Sequence, residues 1–508
     1  MIFMEPKSEG AILPVIDALG IQLAEPSKAP LHKQLYCALR EMIQVGQLAS
    51  GERIPASRHL ARELKLGRNT VLTAIDQLVA EGFLETYQGA GTYVAELPFT
   101  PIAQNRTSER ARLYHSALIS SEAGISLRGQ RLLDLCESGK EPSRAFEPGI
   151  PALDRFPRET WQRLLRRHQR AASTDWLDYQ AQGGVPALRE TLCDYLRLSR
   201  SVRCHPEQIL IVQGAQQGFE LIAHLLGDPG DRVCMEEPGY GGAQACFTAS
   251  GFDVLPVNVD GDGMDATGIS PDGRSPRLIY VTPSHQYPSG VTMSLSRRLC
   301  LLETARHHGA WVIEDDYDSE FRYEQLPIAA LQGLVDNAPV IYVGTFSKVM
   351  YPGLRLGYLV LPETLVEPFR RANARLHREA QYPVQAALAD FISEGHFSRH
   401  IRRMRDCYRQ RQVRLRDALA PAVAQGLQLS RGQSGMHLVV WLDSDTVEQA
   451  IVRRAADAGI TLSPLSSYYL ESFSHPGLVL GYAGASEDEI DRAGNWLCRT
   501  LLSYMSLP

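Results

Sequence analysis

Cysteine is thin and unorganised in this chain. The nine cysteines, from Cys37 to Cys498, form no CxxC pair, no zinc-ligand spacing and no framework of bridges. Neither a structural metal nor a cross-linked secreted scaffold is therefore expected. Also missing is any uninterrupted run of about 18 apolar residues, the length that a membrane-spanning helix requires. The N-terminus, MIFMEPKSEG, has no basic segment followed by an apolar one, as a secretory leader would have. The expectation is a cytoplasmic chain with reduced thiols and no membrane partner. An excess of one charge is lacking too, with a formal net charge of −6. That balance excludes a protein that coats nucleic acid over its whole surface, yet it leaves room for a basic patch on one domain. No internal repeat is present, and 508 residues exceed what one hydrophobic core serves, so two or more domains are expected.

What is present begins with a helical signal. In LHKQLYCALREMIQVG, Leu31, Leu35, Leu39 and Met42/Ile43 recur at helical spacing, and Gly46 ends the run. The stretch IPASRHLARELKLGRNTVLTAIDQLVAEGFL then reads as two helices broken near Leu66-Gly67. One carries Leu60 and Leu64, the other Val71, Ile75, Leu78 and Val79. With the glycine-rich GAGTYV behind them, they predict a helix-turn-helix with a β-hairpin wing. Five of the seven bases in residues 31–96 fall within residues 53–68, where a DNA groove would lie. The run from LYCALREM to GAGTYV resembles the winged helix-turn-helix of the GntR regulators. The resemblance implies that Ser57, Arg58, Arg68, Asn69 and Thr70, with Gly89 and Gly91 of the wing, face double-stranded DNA. In one departure, Gly67 stands where the family usually has a serine able to cap the recognition helix. Such a loss costs on the order of 1 kcal/mol, less for glycine.

Residues 98–143 lose sustained periodicity and read as a linker, with a short helix near ERARLYHSAL. Beyond them, QILIVQ, DRVCME, DVLPVNV, RLIYVT, AWVIED and PVIYVG alternate with helix-length segments, predicting an α/β domain on a mainly parallel sheet. Ligands in such sheets sit beyond the carboxyl ends of the strands, and polar motifs follow those ends here. They are GAQQGFELI, Gly239-Tyr240, PSHQYPSG, Asp315-Asp316-Tyr317-Asp318 and GTFSKVMYPGLRLG. Each alone is an ordinary loop. Jointly they supply a phosphate-binding helix start, a stacking ring, a carboxylate and a lysine, the parts needed to hold pyridoxal 5′-phosphate. A lysine forms an imine with its aldehyde, and a carboxylate pairs with its ring nitrogen.

From about residue 144 to 508 the chain resembles the fold-type I aminotransferases, on EEPGYGG, TPSHQYPSG, VIEDDYDSEFRY and GTFSKVMYPGLRLGYLV. The resemblance implies that Lys348 is the imine lysine, Asp315 the ring-nitrogen partner and Tyr317 a donor to the ring hydroxyl. It further implies that Ala215, Gln216, Thr345, Ser347 and Arg355 hold the phosphate and that Tyr240 lies against the ring. His285 and Tyr287 are further cofactor-site candidates, although YPSG replaces the commoner NPTG. The Arg-rich segment 398–419, with Ile401, Met404, Tyr408 and Val413/Leu415, is read as an amphipathic helix rather than a second DNA-binding element.

A GntR-type head joined to such a domain resembles the MocR-type regulators. The implied organisation is a tail (1–27), a winged helix-turn-helix (28–97), a linker (98–143) and a PLP-dependent transferase-like α/β fold with a smaller C-terminal α+β subdomain (144–508). The implied function is a DNA-binding regulator that senses pyridoxal 5′-phosphate, or an amine or amino acid bound to it. As a homodimer it would reach an operator with paired half-sites. The alternative is a working aminotransferase with an appended head, distinguished by turnover of an amino donor and a keto acid. One more absence bears on that choice. Aminotransferase-like chains usually place a carboxylate-gripping arginine two residues before a Gly-aromatic pair, and in GLVLGYAGAS that position is Val479. Arg431 is the candidate substitute.

Overall fold

The computed structural model describes residues 30–87, 89–96, 124–134, 145–172, 174–323, 328–379, 381–470 and 475–505. The chain divides into two units, Met1–Gly124 and Ile125–Pro508. The expected tail and the expected helix near ERARLYHSAL lie outside the described residues.

In the first unit, helix Leu31–Gln44 buries Leu35, Leu39, Met42 and Ile43 as their spacing required, while Leu31, at its first position, is exposed. Helices Ser57–Glu63 and Arg68–Ala80 follow. The break between them is made by Lys65 at φ 52° and by Gly67. Leu60, Val71, Ala74, Ile75 and Leu78 join Leu35 and Leu39 in one small core. Strands β1 (Arg53–Ile54), β2 (Leu84–Tyr87) and β3 (Gly91–Val94) form an antiparallel sheet ordered β1-β3-β2. The hairpin β2–β3 is the wing.

The second unit is built on an eight-stranded sheet. Its strands are β4 (Ile209–Val212), β5 (Arg232–Glu237), β6 (Asp253–Asp260), β7 (Gly263–Met264), β8 (Leu278–Val281), β9 (Trp311–Asp316), β10 (Val340–Thr345) and β11 (Gly357–Val360). They run in the order β4-β11-β10-β9-β8-β5-β6-β7. The pairs from β10 through β9, β8 and β5 to β6 are parallel, while β11 is antiparallel to both β10 and β4. The six expected strands are all present, and the apolar runs of β4, β5, β8, β9 and β10 are buried on both faces as a helix-covered parallel sheet demands, whereas β6, toward the sheet's edge, is only partly covered. β11 was not read as a strand, because GYLV follows the glycine-rich loop without a helix between.

A second, four-stranded sheet makes the smaller subdomain. It consists of β12 (Gln428–Leu429), β13 (His437–Trp441), β14 (Ser463–Pro464) and β15 (Gly477–Gly481) in the order β12-β13-β15-β14. The Arg-rich segment is helix His396–Val423, packed on helix Glu487–Met505. Ile401, Met404, Tyr408 and Leu415 are buried, but Val413 is half exposed, because position 415 rather than 413 completes the inward stripe. Arg411 on the same helix is fully buried, with its guanidinium donating to the Ala483 carbonyl and facing Glu487 and Asp154.

Part of the stretch read as a linker is ordered. Helix Leu127–Asp134 packs on helix Gly241–Ser250, and its start is capped where the Gly129 N–H donates to Ser126 Oγ at 3.0 Å. Its apolar set is too short to register as a period. Among the described residues, no helix is long and apolar enough to cross a membrane, and no His, Cys, Asp or Glu group is arranged to hold a metal.

One buried ion pair anchors the strand end that carries the acidic motif. Arg200 Nε donates to Asp316 Oδ2 at 2.7 Å, and the same guanidinium reaches Ser284 Oγ and the Ile328 carbonyl. Both side chains are almost wholly buried. Arg200→Met is expected to cost about 3–5 kcal/mol, since it deprives the buried Asp316 carboxylate of its cation and leaves Tyr342 as its side-chain donor. Urea unfolding of the full chain checks this, and a loss below about 1 kcal/mol would show the pair to be dispensable.

Candidate cofactor site and nucleic-acid interface

The carboxyl ends of β4, β8, β9 and β10 converge on a cavity of about 190 Å³. Its wall includes Ala215, Gln216, Tyr240, Tyr287, Asp315, Tyr317, Thr345, Ser347, Lys348 and Arg355. Chain geometry explains the convergence. Gly214, at φ 88°, turns β4 into helix Ala215–Leu226, leaving that helix's first N–H groups free. A Cβ at Gly214 would lie 3.5 Å from the Arg355 guanidinium, so the arginine stands directly over the helix start. Thr345 Oγ1 accepts the Ser347 N–H at 3.2 Å, folding the loop that presents Lys348. A cluster of N–H groups, two hydroxyls and a guanidinium suits a dianionic phosphate.

At the other end lies Lys348. Burial lowers its ammonium below the ordinary value, partly opposed by Asp318, Asp315 and Glu147, so the nucleophilic free amine is more accessible than in water. Gly149 closes the space beside it: a Cβ there would sit 2.6 Å from Lys348 Nζ. Gly149 reaches the site because Phe146 bridges to Gly481 at the end of β15, where a side chain on Gly481 would collide with the Glu147 carbonyl.

Asp315 is the electrostatic centre. The Tyr280 hydroxyl donates to its Oδ2 at 2.6 Å, while Oδ1 is buried with no partner among the described residues. Burial raises its carboxyl from 3.8 to about 7, with Tyr280 and Lys348 pulling it down and Asp316 pushing it up. A buried acceptor left bare is costly. An N–H facing it would relieve that cost and restore the ionised form.

His285 does not line the cavity. It is buried behind Tyr317, with Nδ1 2.9 Å from Asp318 Oδ2 and 3.0 Å from the Tyr317 hydroxyl. One nitrogen cannot donate to Asp318 and accept from Tyr317 together. The carboxylate is the stronger acceptor, so Nδ1–H belongs to Asp318 and the Tyr317 hydroxyl proton is free to turn toward the cavity. Loop sequence gave no sign that the histidine side chain points away. Gly149, Tyr280, Thr282, Pro352, Met436 and His437 also line the wall and were not anticipated. The one usable signal was Tyr280, a lone hydroxyl in an aliphatic strand.

In the head, Arg58, Arg68, Asn69 and Gly89 are exposed, and Ser57, Thr70 and Gly91 are half-buried. Arg68, Asn69 and Thr70 form the first turn of helix Arg68–Ala80, whose Gly67 N-cap offers no side-chain hydrogen bond. Gly89 and Gly91 take φ of 82° and 115° in the wing turn. The Arg53 guanidinium lies against Gly91, where a Cβ would be 2.9 Å from Nε, adding a cation that was not expected at the wing.

Residues 31–94 match the family described as bacterial regulatory proteins of the gntR family, and residues 152–495 match aminotransferase class I and II. The probable rhizopine catabolism regulatory protein MocR of Rhizobium meliloti is 40% identical over 95% of this chain and 96% of its own length. The chain belongs to the MocR-type GntR regulators. The pyridoxine biosynthesis regulator PdxR of Corynebacterium glutamicum is 28% identical over 95% of this chain and 97% of its own. Among solved structures, the kynurenine aminotransferase of Pyrococcus horikoshii superposes with a TM-score of 0.66 at 26% identity, covering 79% of this chain and 99% of that one. The α-aminoadipate aminotransferase LysN of Thermus thermophilus, complexed with N-(5′-phosphopyridoxyl)-L-leucine, gives 0.65 at 26%, covering 78% and 98%.

The MocR-type chain is thus a DNA-binding transcription regulator with a PLP-dependent aminotransferase-like domain. The cavity fits that group: the bare Asp315 oxygen, the anion-ready helix start and the Lys348 amine lie on one wall. The raised Asp315 carboxyl has a measurable consequence. A carboxyl that holds its proton more tightly when folded contributes stability fully present below its unfolded value of 3.8 and lost as pH rises toward about 7. In cofactor-free protein the thermal midpoint of Asp315→Asn should therefore fall less than the parent's between about pH 4.5 and 7.5. Parallel curves would refute a raised Asp315.

Proposed function

We propose that this MocR-type regulator is a cytoplasmic homodimer whose effector domains take up pyridoxal 5′-phosphate, or an amine held beside it, and thereby set how two heads engage paired half-sites of an operator. The observation that carries the reading is the shared cavity of Lys348, the bare Asp315 oxygen and Arg355. A regulator of pyridoxine biosynthesis among the relatives supports the same ligand. When bound, the group supplies an aldehyde that bonds covalently to a lysine amine and a ring nitrogen that draws electrons when protonated.

The chain's residues divide the work of holding it. Lys348 supplies the amine, which its lowered affinity for protons keeps reactive. Asp315 Oδ1 accepts a ring N–H while Tyr280 fixes the carboxylate's orientation through Oδ2. Tyr317 donates its free hydroxyl proton, Tyr240 covers a ring face, and Tyr287 borders the side facing the smaller subdomain. Ala215 and Gln216 N–H groups, Thr345, Ser347 and Arg355 neutralise the phosphate. In the head, Ser57, Arg58, Arg68, Asn69, Thr70, Gly89 and Gly91 face the duplex, with the first turn of helix Arg68–Ala80 in the major groove.

Borohydride treatment of protein loaded with pyridoxal 5′-phosphate should leave the cofactor on the peptide that contains residue 348, and Lys348→Ala should leave none while retaining weaker, reversible uptake. An adduct persisting on that peptide in the variant, or a parent that never takes up the cofactor, would overturn the assignment.

For the head, Arg68→Ala should weaken operator binding by roughly 1–3 kcal/mol and relax preference at one base pair if the arginine reads a base edge. Competition assays over single-base operator variants provide the check. Unchanged affinity would remove Arg68 from the interface, and uniform weakening would reassign it to phosphate.

A further inference from the structure

The cavity's charges restrict the amine that it can admit beside Lys348. Among the described lining residues the cations are Lys348 and Arg355, and Arg355 is engaged over the helix start at Gly214. The Lys348 amine instead lies in the field of Asp318, Asp315 and Glu147. Among the described lining residues, none offers an arginine fork there for a carboxylate.

The opposite wall reinforces this. β15 turns Leu478 and Leu480 into the main core but turns Val479 toward Val439, Leu465 and Tyr468. The Tyr468 hydroxyl lies 3.2 Å from that of Tyr287, which lines the cavity. Val479 itself does not line the cavity; it is fully buried and apolar, in a cluster on which Tyr468 packs, so Tyr468 stands between that cluster and Tyr287. Arg431 is exposed and does not line the cavity; its carbonyl accepts from Arg416.

His437, the first residue of β13, also lines the wall. Its Nε2–H donates to the Pro288 carbonyl at 2.8 Å. Burial, helped by His285 and Lys348, pushes the ring down to about 3, so it is neutral. A neutral ring whose N–H is committed presents only the Nδ1 lone pair. That lone pair repels a carboxylate and accepts from a hydroxyl or an ammonium.

Building on the cofactor reading above, we propose that the effector is a primary amine with no carboxylate on its amine-bearing carbon, whose other polar groups are hydroxyl or ammonium donors directed to His437 and Tyr287. An α-amino acid would bring an anion to a wall of hydroxyls, a lone pair and carboxylates, without a compensating cation.

The test is calorimetric and absorbance titration of full-length protein loaded with pyridoxal 5′-phosphate, using pairs that differ only in the carboxylate: ethanolamine and serine, cadaverine and lysine, tyramine and tyrosine. At least one amine should bind at least about tenfold more tightly than its amino acid, the scale of one unpaired buried polar group. Val479→Arg should raise amino-acid affinity by about tenfold or more, through a bidentate grip. Equal or tighter binding of the amino acids, keto-acid release from them at rates typical of metabolic enzymes, or binding of no amine would overturn the proposal. So would a Val479→Arg protein with native circular dichroism and no gain; if that variant fails to fold, the matched pairs on the parent decide. Absence of the cofactor's absorbance before any amine is added would instead refute the underlying cofactor reading.

Discussion

Asp315 sits at the end of β9 with one oxygen held by Tyr280 and the other bare. The surrounding strands make that arrangement unavoidable. Parallel pairing sets Asp315 opposite Val343 and Asp316 opposite Gly344, so the loop after β10 must deliver Lys348 to the same end of the sheet. Antiparallel β11, wedged between β10 and β4, then returns Arg355 to the start of helix Ala215–Leu226. The site is a consequence of register as much as of side chains.

The acidic motif is concentrated charge that the fold has to answer residue by residue. Glu314 accepts two backbone N–H groups, from Leu331 and Gln332. Asp316 takes Arg200 and Tyr342, and Asp318 takes His285. Asp316 and Glu236 each keep one buried bare oxygen as well, but neither lines the cavity. Asp315 is the acid in this group whose missing partner can arrive from outside. Burial penalties that would be a defect elsewhere thus become binding energy for an N–H donor.

Much of this was readable from local pattern. The six strand-like runs, the two head helices and their break near Gly67 depend on periodicity and turn chemistry within a dozen residues, and each formed where expected. The failures at the site share a cause, because they depend on contacts distant in the chain. Gly149 touches Lys348 only because Phe146 pairs with Gly481. His437 belongs to a strand in the smaller subdomain, and His285 turns away from the cavity because Asp318 competes for its nitrogen. Val413 against Leu415 was a question of helical phase that sequence left open and packing against helix Glu487–Met505 resolved.

Sensing and catalysis make different demands on the same pocket. A transaminase must hold the bond to be broken at a fixed angle through successive steps, and a paired carboxylate is its handle for doing so. A regulator needs only that occupancy favour one arrangement of its domains over another, by as much as the ligand's differential affinity allows. On the effector reading proposed above, valine at position 479 withholds the handle and leaves intact the lysine, the carboxylate and the phosphate cradle. Those remaining parts suffice for occupancy. On that same reading, a valine that would cripple an enzyme costs a sensor little, and it leaves the ligand side of the cavity to select on groups other than a carboxylate.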